Sequence, residues 1–318
     1  MRIAINGFGR IGRTILRQLL SDPAHADIEI ALINDIAAPD RVRPISGDVS
    51  VTNGMLHVAG REIRFTTQPD ISVLDLSDID LVIECTGTAN TLNIASRGLD
   101  AGATSVLISG PSPAAEVTVV LGANDDALGD QRIVSNASCT TNAIAPLLKA
   151  LNDDLGIVSG HMTTIHCYTG SQPMVDAPRS NPARSRAGAV SMVPTTTSAT
   201  ALVNHVLPEL EGKISGAAVR VPCISVSAVD LTVQLQTLPD CAGRDLSRIG
   251  WPLIIPSWAR PATLSCRQTC ACALNHWSSR CRKPRSSAPI RRVVFGWYDN
   301  EWGYSARVID LARLMAAR

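Results

Sequence analysis

The first apolar run of the chain is short. Arg2-Ile3-Ala4-Ile5-Asn6 reads as a β-strand, and beyond a cluster of glycines Thr14 to Leu20 carries apolar residues at helical spacing. A second strand pattern, Ile28 to Ile33, ends in Asn34-Asp35. Further strand-like runs lie at Asp80–Glu84, Ser105–Ser109, Val117–Leu121 and Ile133–Val134, with a helix predicted over Ala89–Leu99. Strands alternating with helices predict an α/β fold: a doubly wound, mostly parallel sheet with ligands at the carboxyl ends of its strands. Thr86 and Ser109 stand just past two such ends and are expected to line the cleft there.

Beyond residue 135 the pattern changes. Ser135 to Asn142 is polar and runs into the apolar stretch Ala143–Leu151, which predicts a loop feeding a helix. Gly160–His166 reads as a strand, and Ala217–Leu235 alternates apolar and polar residues as a long strand does. Near the end, Val308, Ile309, Leu311 and Leu314 mark one face of a helix over Ala306–Ala317. These elements predict a second, α+β domain.

Between the first strand and the first helix lies Gly7-Phe8-Gly9-Arg10-Ile11-Gly12, a G-x-G-x-x-G sequence. In such a turn the first glycine permits the bend, the second admits a pyrophosphate to the backbone, and the third lets helix and strand pack closely. The motif alone is weak. Its strand–helix setting, with Asp35 closing the next strand, makes it a dinucleotide site: the acid would hydrogen-bond the ribose hydroxyls of NAD and repel the extra phosphate of NADP. The plainer reading of Asp35, a strand-terminal cap, ranks second.

Composition narrows the class without choosing within it. With 318 residues, 45% hydrophobic content and a formal charge of +1, the chain has the size for two packed domains and lacks the basic excess of a nucleic-acid binder. No apolar run approaches the length of a membrane span. The chain opens directly on a strand pattern, so a cytoplasmic location with reduced thiols is expected for its nine cysteines.

One of those cysteines carries chemistry. Cys139 sits at the junction of Ser138 and the helix pattern, where the helix dipole and unpaired N–H groups favour a thiolate and can hold an anion. A buried structural thiol is the competing reading, opposed by the polar neighbours on both sides. Along the following strand, His161 and His166 are an odd number of residues apart and point to opposite faces, so only one can serve a given site.

Four ordered stretches, INGFGRIGR (5–13), SNASCTTN (135–142), HCYTGSQ (166–172) and WYDNEWGYS (297–305), resemble the signatures of phosphorylating glyceraldehyde-3-phosphate dehydrogenases. The resemblance implies a Rossmann-type NAD-binding domain over 1–137, with the helix 304–318 packing back on it, and a catalytic domain over 138–303. It selects His166 as the base beside the Cys139 nucleophile. It implies that Asn300 orients the nicotinamide with Tyr304 nearby, and that Thr169 and Arg220 hold the substrate's phosphate. Ser138, Thr140, Arg186, Thr197 and Ser198 would receive inorganic phosphate, for which the planar fork of arginine is suited. A phosphorylated aldehyde as substrate, NAD as cofactor, no resident metal, no nucleic-acid or membrane partner and a homotetramer complete the expectation.

The chain also departs from that family. The stretch 36–46 is shorter than the family's, beside the expected adenosine pocket. Between Thr237 and Arg292 the strand alternation stops, glutamate is absent, and Cys241, Cys266, Cys270, Cys272, Cys281, Trp251, Trp258 and Trp277 accumulate. A pair of compensating reading-frame shifts accounts for foreign composition at a family-like length. A metal site from the cysteines and His276 is the weaker account, because C-x-x-x-C-x-C is not a familiar ligand spacing. Cys167, Gly110 and the missing lysine in 198–201 are smaller local changes. Two alternatives follow: a sister activity on erythrose 4-phosphate, with water replacing phosphate, and a catalytically impaired nucleotide-binding protein.

Overall fold

The computed structural model describes residues 1–37, 49–237 and 290–318. Most of the stretch 237–292, with the cysteines and histidine of the metal alternative, therefore lies outside the described residues, as does most of the shortened stretch. The chain divides into two compact units, one of Met1–Val119, Asp126–Ala137 and Ser305–Arg318, the other of Val120–Asp125 and Ser138–Tyr304.

In the first unit, β1 (Arg2–Asn6) lies between β2 (Glu29–Asn34) and β6 (Leu81–Glu84), parallel to both. Chain order reverses there, which makes the end of β1 a topological switch point. From β6 the sheet continues in parallel through β7 (Ser105–Ile108) and β9 (Ile133–Ser135) to β8 (Val117–Thr118). Helix α1 (Arg10–Ser21) buries Ile15, Leu16 and Leu19, and β1 and β2 bury Ile3, Ile5, Leu32 and Ile33. Each such side chain contributes roughly 1.5–3 kcal/mol of burial. The C-terminal helix α6 (Trp302–Ala316) is tied to this unit where Arg313 donates to the Ala24 carbonyl and pairs with Asp27, each at 2.6 Å.

On the other side of β2 the sheet gains β5 (Arg61–Thr66), parallel, then β4 (Met55–Val58) and β3 (Val49–Thr52), antiparallel. These three strands were not expected. They are joined by two-residue turns, Asn53-Gly54 and Ala59-Gly60, all four residues having positive φ. That is the turn geometry that matches the twist of a hairpin, and Asn-Gly is its usual signal. Two further expectations are corrected. The helix over 89–99 is broken at Ser96 into α2 (Leu92–Ala95) and α3 (Arg97–Asp100), where a side chain on Gly98 would meet Val82 and Val106 at 2.9 Å. The strand over 117–121 shrinks to the two residues of β8.

The described residues of the second unit form a five-stranded sheet in the order β11 (Val193–Thr195), β12 (Ile214–Val221), β10 (Ile157–Cys167), β13 (Ser227–Leu235), β14 (Ile290–Tyr298). The expected single strand over 217–235 is two strands. Pro222, which has no N–H to give a ladder, and Val226, at φ 68°, lie in the turn between them. β13 and β14 pair antiparallel from Ser227↔Tyr298 to Leu235↔Ile290. Helices α4 (Cys139–Leu155) and α5 (Ala199–Val206) complete the unit, α4 packing on β10 and β13. Among the described residues no helix is long and apolar enough to cross a membrane.

Candidate active site

Helix α4 begins at Cys139 for reasons visible in its cap. The Ser138 hydroxyl accepts the Thr141 N–H at 3.0 Å, satisfying one of the unpaired donors of the first turn. The preceding Ala137 is fully buried and left-handed at φ 53°, a conformation that costs an alanine roughly 1–2 kcal/mol. Its surroundings hold it there, since its N–H donates to Ser135 Oγ at 3.1 Å.

Across from α4, strand β10 delivers His166. The two histidines of β10 fall on opposite faces: His161 is exposed and bonded to Ser215 Oγ, whereas His166 is buried. His166 Nε2 lies 3.5 Å from Cys139 Sγ. Its other nitrogen, Nδ1, is 2.7 Å from the Cys167 carbonyl oxygen and 2.5 Å from Nη1 of Arg220. Arg220 is the register partner of His166 on β12, so the sheet itself sets the two side by side.

The cluster rests on Tyr298, Ser227 and Cys167, to which the sequence reading gave no role, together with Asn300 and Thr140, to which it did. Tyr298, at the end of β14, is buried with its ring edge-on to His166 at 6.0 Å, and its hydroxyl joins Thr140 Oγ1 at 2.8 Å and Thr164 Oγ1 at 2.9 Å. Ser227 Oγ accepts the Cys167 N–H and donates to Asn300 Oδ1 at 3.0 Å, and the Cys167 thiol donates to the same oxygen at 3.4 Å. Tyr298 and Cys167 lie inside two of the quoted stretches without a role there, and Ser227 shows only as a polar residue at the start of an alternating strand. Thr140, expected at the phosphate, turns its hydroxyl inward to Tyr298.

Burial works against the thiolate expected at Cys139. Cys139 is partly exposed, but burial of its sulfur pushes the thiol up to about 11, against the hydrogen bond to Thr140 and the positive charge of Arg220. Desolvation is the largest of these influences on the sulfur. A sulfur raised in this way needs a base to lose its proton, and His166 is the group within reach.

The remaining phosphate residues are engaged locally. Thr169 Oγ1 is bonded to Ser171 and Gln172, Arg186 pairs with Asp176 at 2.6 Å, and Thr197 accepts the Ala199 N–H beside the exposed Ser198 at the start of α5. Tyr304 is buried in the first turns of α6, its N–H bonded to the Asp299 carbonyl.

In the first unit, the glycine loop fits a dinucleotide. Gly9 is the N-cap of α1 without a side-chain capping bond, and nothing lies within 4 Å of where its Cβ would be, so a pyrophosphate can approach there. Gly7 has φ +94°, and a side chain on Gly12 would strike the Gly7 carbonyl at 2.3 Å. Phe8, Arg10 and Ile11 complete the turn. Asp35 accepts the Phe8 N–H at 2.5 Å and the Ala37 N–H at 2.7 Å, so it also braces the loop. Beneath the strand ends runs a polar chain that sequence reasoning missed: Thr86 to buried Glu84, Glu84 to Asn6 at 2.5 Å, Asn6 to Asn34 at 2.8 Å. The Ser109 N–H donates to the Glu84 carbonyl at 2.9 Å.

Residues 1–92 match the family model described as the glyceraldehyde 3-phosphate dehydrogenase NAD binding domain, and residues 138–241 match that of the same enzyme's C-terminal domain. Full-length relatives agree. A glyceraldehyde-3-phosphate dehydrogenase of Kitasatospora aureofaciens is 39% identical over 346 aligned positions, covering 100% of this chain and 99% of that protein. The chain belongs to the glyceraldehyde-3-phosphate dehydrogenase family. The same name is carried by a Geobacillus stearothermophilus protein, 37% identical with 100% and 99% covered, and by one from Pseudomonas aeruginosa, 39% identical with 100% and 98% covered. As a member of this family the chain is an NAD-dependent oxidoreductase of the Rossmann type, and nothing in these matches favours the erythrose 4-phosphate alternative. The second family match ends at 241, close to where the strand alternation stops.

Proposed function

We propose that this member of the glyceraldehyde-3-phosphate dehydrogenase family oxidises glyceraldehyde 3-phosphate and passes the acyl group to inorganic phosphate, giving 1,3-bisphosphoglycerate. The observation that carries this reading is the 3.5 Å approach of Cys139 Sγ to His166 Nε2 at the start of α4. Cys139 adds to the aldehyde carbon while its proton passes to His166. The resulting oxygen is held by the imidazolium and by the Cys139 N–H, donors placed where negative charge develops. Gly7, Gly9, Gly12 and Asp35 hold NAD, which supplies the oxidant when bound. In the second unit Asn300, whose side-chain oxygen is held by Ser227 and Cys167, and Tyr304 would serve the nicotinamide; in the first unit Thr86 and Ser109 are the further cofactor residues. Thr169 and Arg220 hold the phosphate of the aldehyde. Ser138, Arg186, Thr197 and Ser198 receive the phosphate that opens the thioester, and Thr140 supports the cluster through Tyr298.

A homotetramer suits the second unit, whose sheet leaves Val293 (59%) and Trp297 (39%) exposed on β14. Light scattering of the full chain tests it. The cysteines of the described residues are all free, which accords with the cytoplasm. For the activity, NADH formation from glyceraldehyde 3-phosphate, NAD and phosphate is measured in the wild type and in Cys139→Ser. The wild type turns over and the variant loses at least a thousandfold. Equal rates in the two would refute the nucleophile.

A further inference from the structure

The carboxyl ends of the neighbouring strands β5, β2, β1 and β6 carry a row of hydrogen-bonded side chains whose direction can be read from both ends. At one end the Gln68 N–H and the Thr66 hydroxyl both donate to Asn34 Oδ1 at 2.8 Å, and Asn34 Nδ2 donates to the Gln68 carbonyl at 2.9 Å. A backbone N–H only donates and a carbonyl only accepts, so the Asn34 amide has one allowed orientation. Its Nδ2 also donates to Asn6 Oδ1 at 2.8 Å, and Asn6 Nδ2 donates to Glu84 Oε2 at 2.5 Å. At the other end the Thr86 N–H donates to Glu84 Oε1 at 2.8 Å, and the Thr86 hydroxyl donates to the same oxygen. Asn34, Asn6 and Glu84 are all buried, so water does not relieve a mismatch among them.

Each amide in such a row accepts on one side and donates on the other. Two backbone donors, the N–H groups of Gln68 and Thr86, face the row from opposite ends, so one member has to accept on both sides. A carboxylate can do that and an amide cannot. Glu84 is that member. A glutamine in its place would show its oxygen to the Thr86 N–H and its NH2 to the NH2 of Asn6, and no amide flip removes the clash because Gln68 holds the far end. The row is also tied to the main chain around the glycine loop. The Gly7 N–H donates to the Asn34 carbonyl at 2.8 Å, the Cys85 N–H to the Asn6 carbonyl at 2.6 Å, and the Asp35 N–H to the Thr66 carbonyl at 3.1 Å. We propose that Glu84 is a positioning residue for the dinucleotide: by accepting on both sides it fixes the direction of the row, and the row fixes the glycine loop between Asp35 and Thr86. The inference rests on the function proposed above in one respect, that Asp35 and Thr86 hold NAD. Glu84 itself is 4% exposed and acts through Thr86 and the two asparagines.

Moving the carboxylate one place along the row tests its direction. Glu84→Gln breaks the row, and so does Asn6→Asp, which sets two carboxyl groups where 2.5 Å separates an amide from a carboxylate. Combined, the two substitutions restore it: the new amide accepts from Thr86 and donates to the new carboxylate, whose other oxygen accepts from Asn34. NAD affinity of the full chain is measured by isothermal titration calorimetry, and the melting midpoint is measured without NAD. Each single variant is expected to raise the NAD Kd roughly tenfold or more and to lower the midpoint. The double variant is expected to regain the midpoint and bring the Kd back to within about threefold of the wild type. Glu84→Gln binding NAD as the wild type does, or a double variant no better than Glu84→Gln, overturns the inference. Midpoints that shift while the NAD Kd stays the same in all four proteins overturn it too, since the row would then hold strands and not the cofactor site. If neither single variant folds, the double variant decides alone, by folding and binding NAD or by failing to. A wild type that binds no NAD overturns both this inference and the proposed function. Failure of the proposed function alone appears separately, as no NADH from glyceraldehyde 3-phosphate in a wild type that binds NAD.

Discussion

The glycine loop of the first unit and the cysteine–histidine cluster of the second are built from opposite materials. The loop is backbone: three glycines shape it, and Asp35 holds it by accepting main-chain N–H groups. The cluster is side chain: Cys139, His166, Arg220, Tyr298, Ser227 and Asn300 hold one another, most of them out of water. A backbone site fails when a side chain is added. A side-chain site fails when one is taken away, and its groups can be retuned by their neighbours. The family's two tasks, holding a nucleotide and activating a thiol, are divided along that line.

Separating the two in experiment sharpens the contrast. The largest effect is expected from His166→Asn, which removes the base: kcat should fall roughly 100- to 10,000-fold while the NAD-dependent rise in melting midpoint persists. Next is pH. Because burial raises the Cys139 thiol to about 11, its ionised fraction grows tenfold per unit below that value, so alkylation of the free protein should climb about 100-fold from pH 7 to 9 without a plateau. A plateau near neutrality would show a preformed ion pair and break the comparison on the catalytic side. Gly12→Ala places a carbon 2.3 Å from the Gly7 carbonyl and should cost about 1–3 kcal/mol in denaturant unfolding. It should also erase the NAD-dependent rise while leaving Cys139 alkylation unchanged; coupled loss of both would merge the two sites into one. No NAD-dependent rise even in the wild type would favour the impaired-protein alternative. The smallest effect is a gain: Ala137→Gly relieves a left-handed alanine and should stabilise by up to about 1 kcal/mol.

The same contrast explains what could be read in advance. Backbone requirements write themselves into sequence as glycines at fixed spacing, so β1, the loop, α1, β2 and Asp35 were legible, as was the start of α4 from Ser138 and Cys139. Parity along β10 separated His161 from His166. The hairpins of β3 to β5 were announced by Asn53-Gly54 but overlooked, because their strands are too short to show alternation. Tyr298, Ser227 and Glu84 were illegible for another reason: a polar residue buried by pairing looks, in one dimension, like one facing water. The high thiol pKa was likewise hidden, since the helix terminus is local to the sequence and the desolvation comes from residues far along it.

The antiparallel match of β13 to β14 has one more consequence. Tyr298, which steadies Thr140 and Thr164, is brought to the catalytic strand by a ladder that skips everything between Leu235 and Ile290. Whatever unzips that ladder therefore also lets go of the one hydroxyl that spans the first turn of α4 and the middle of β10.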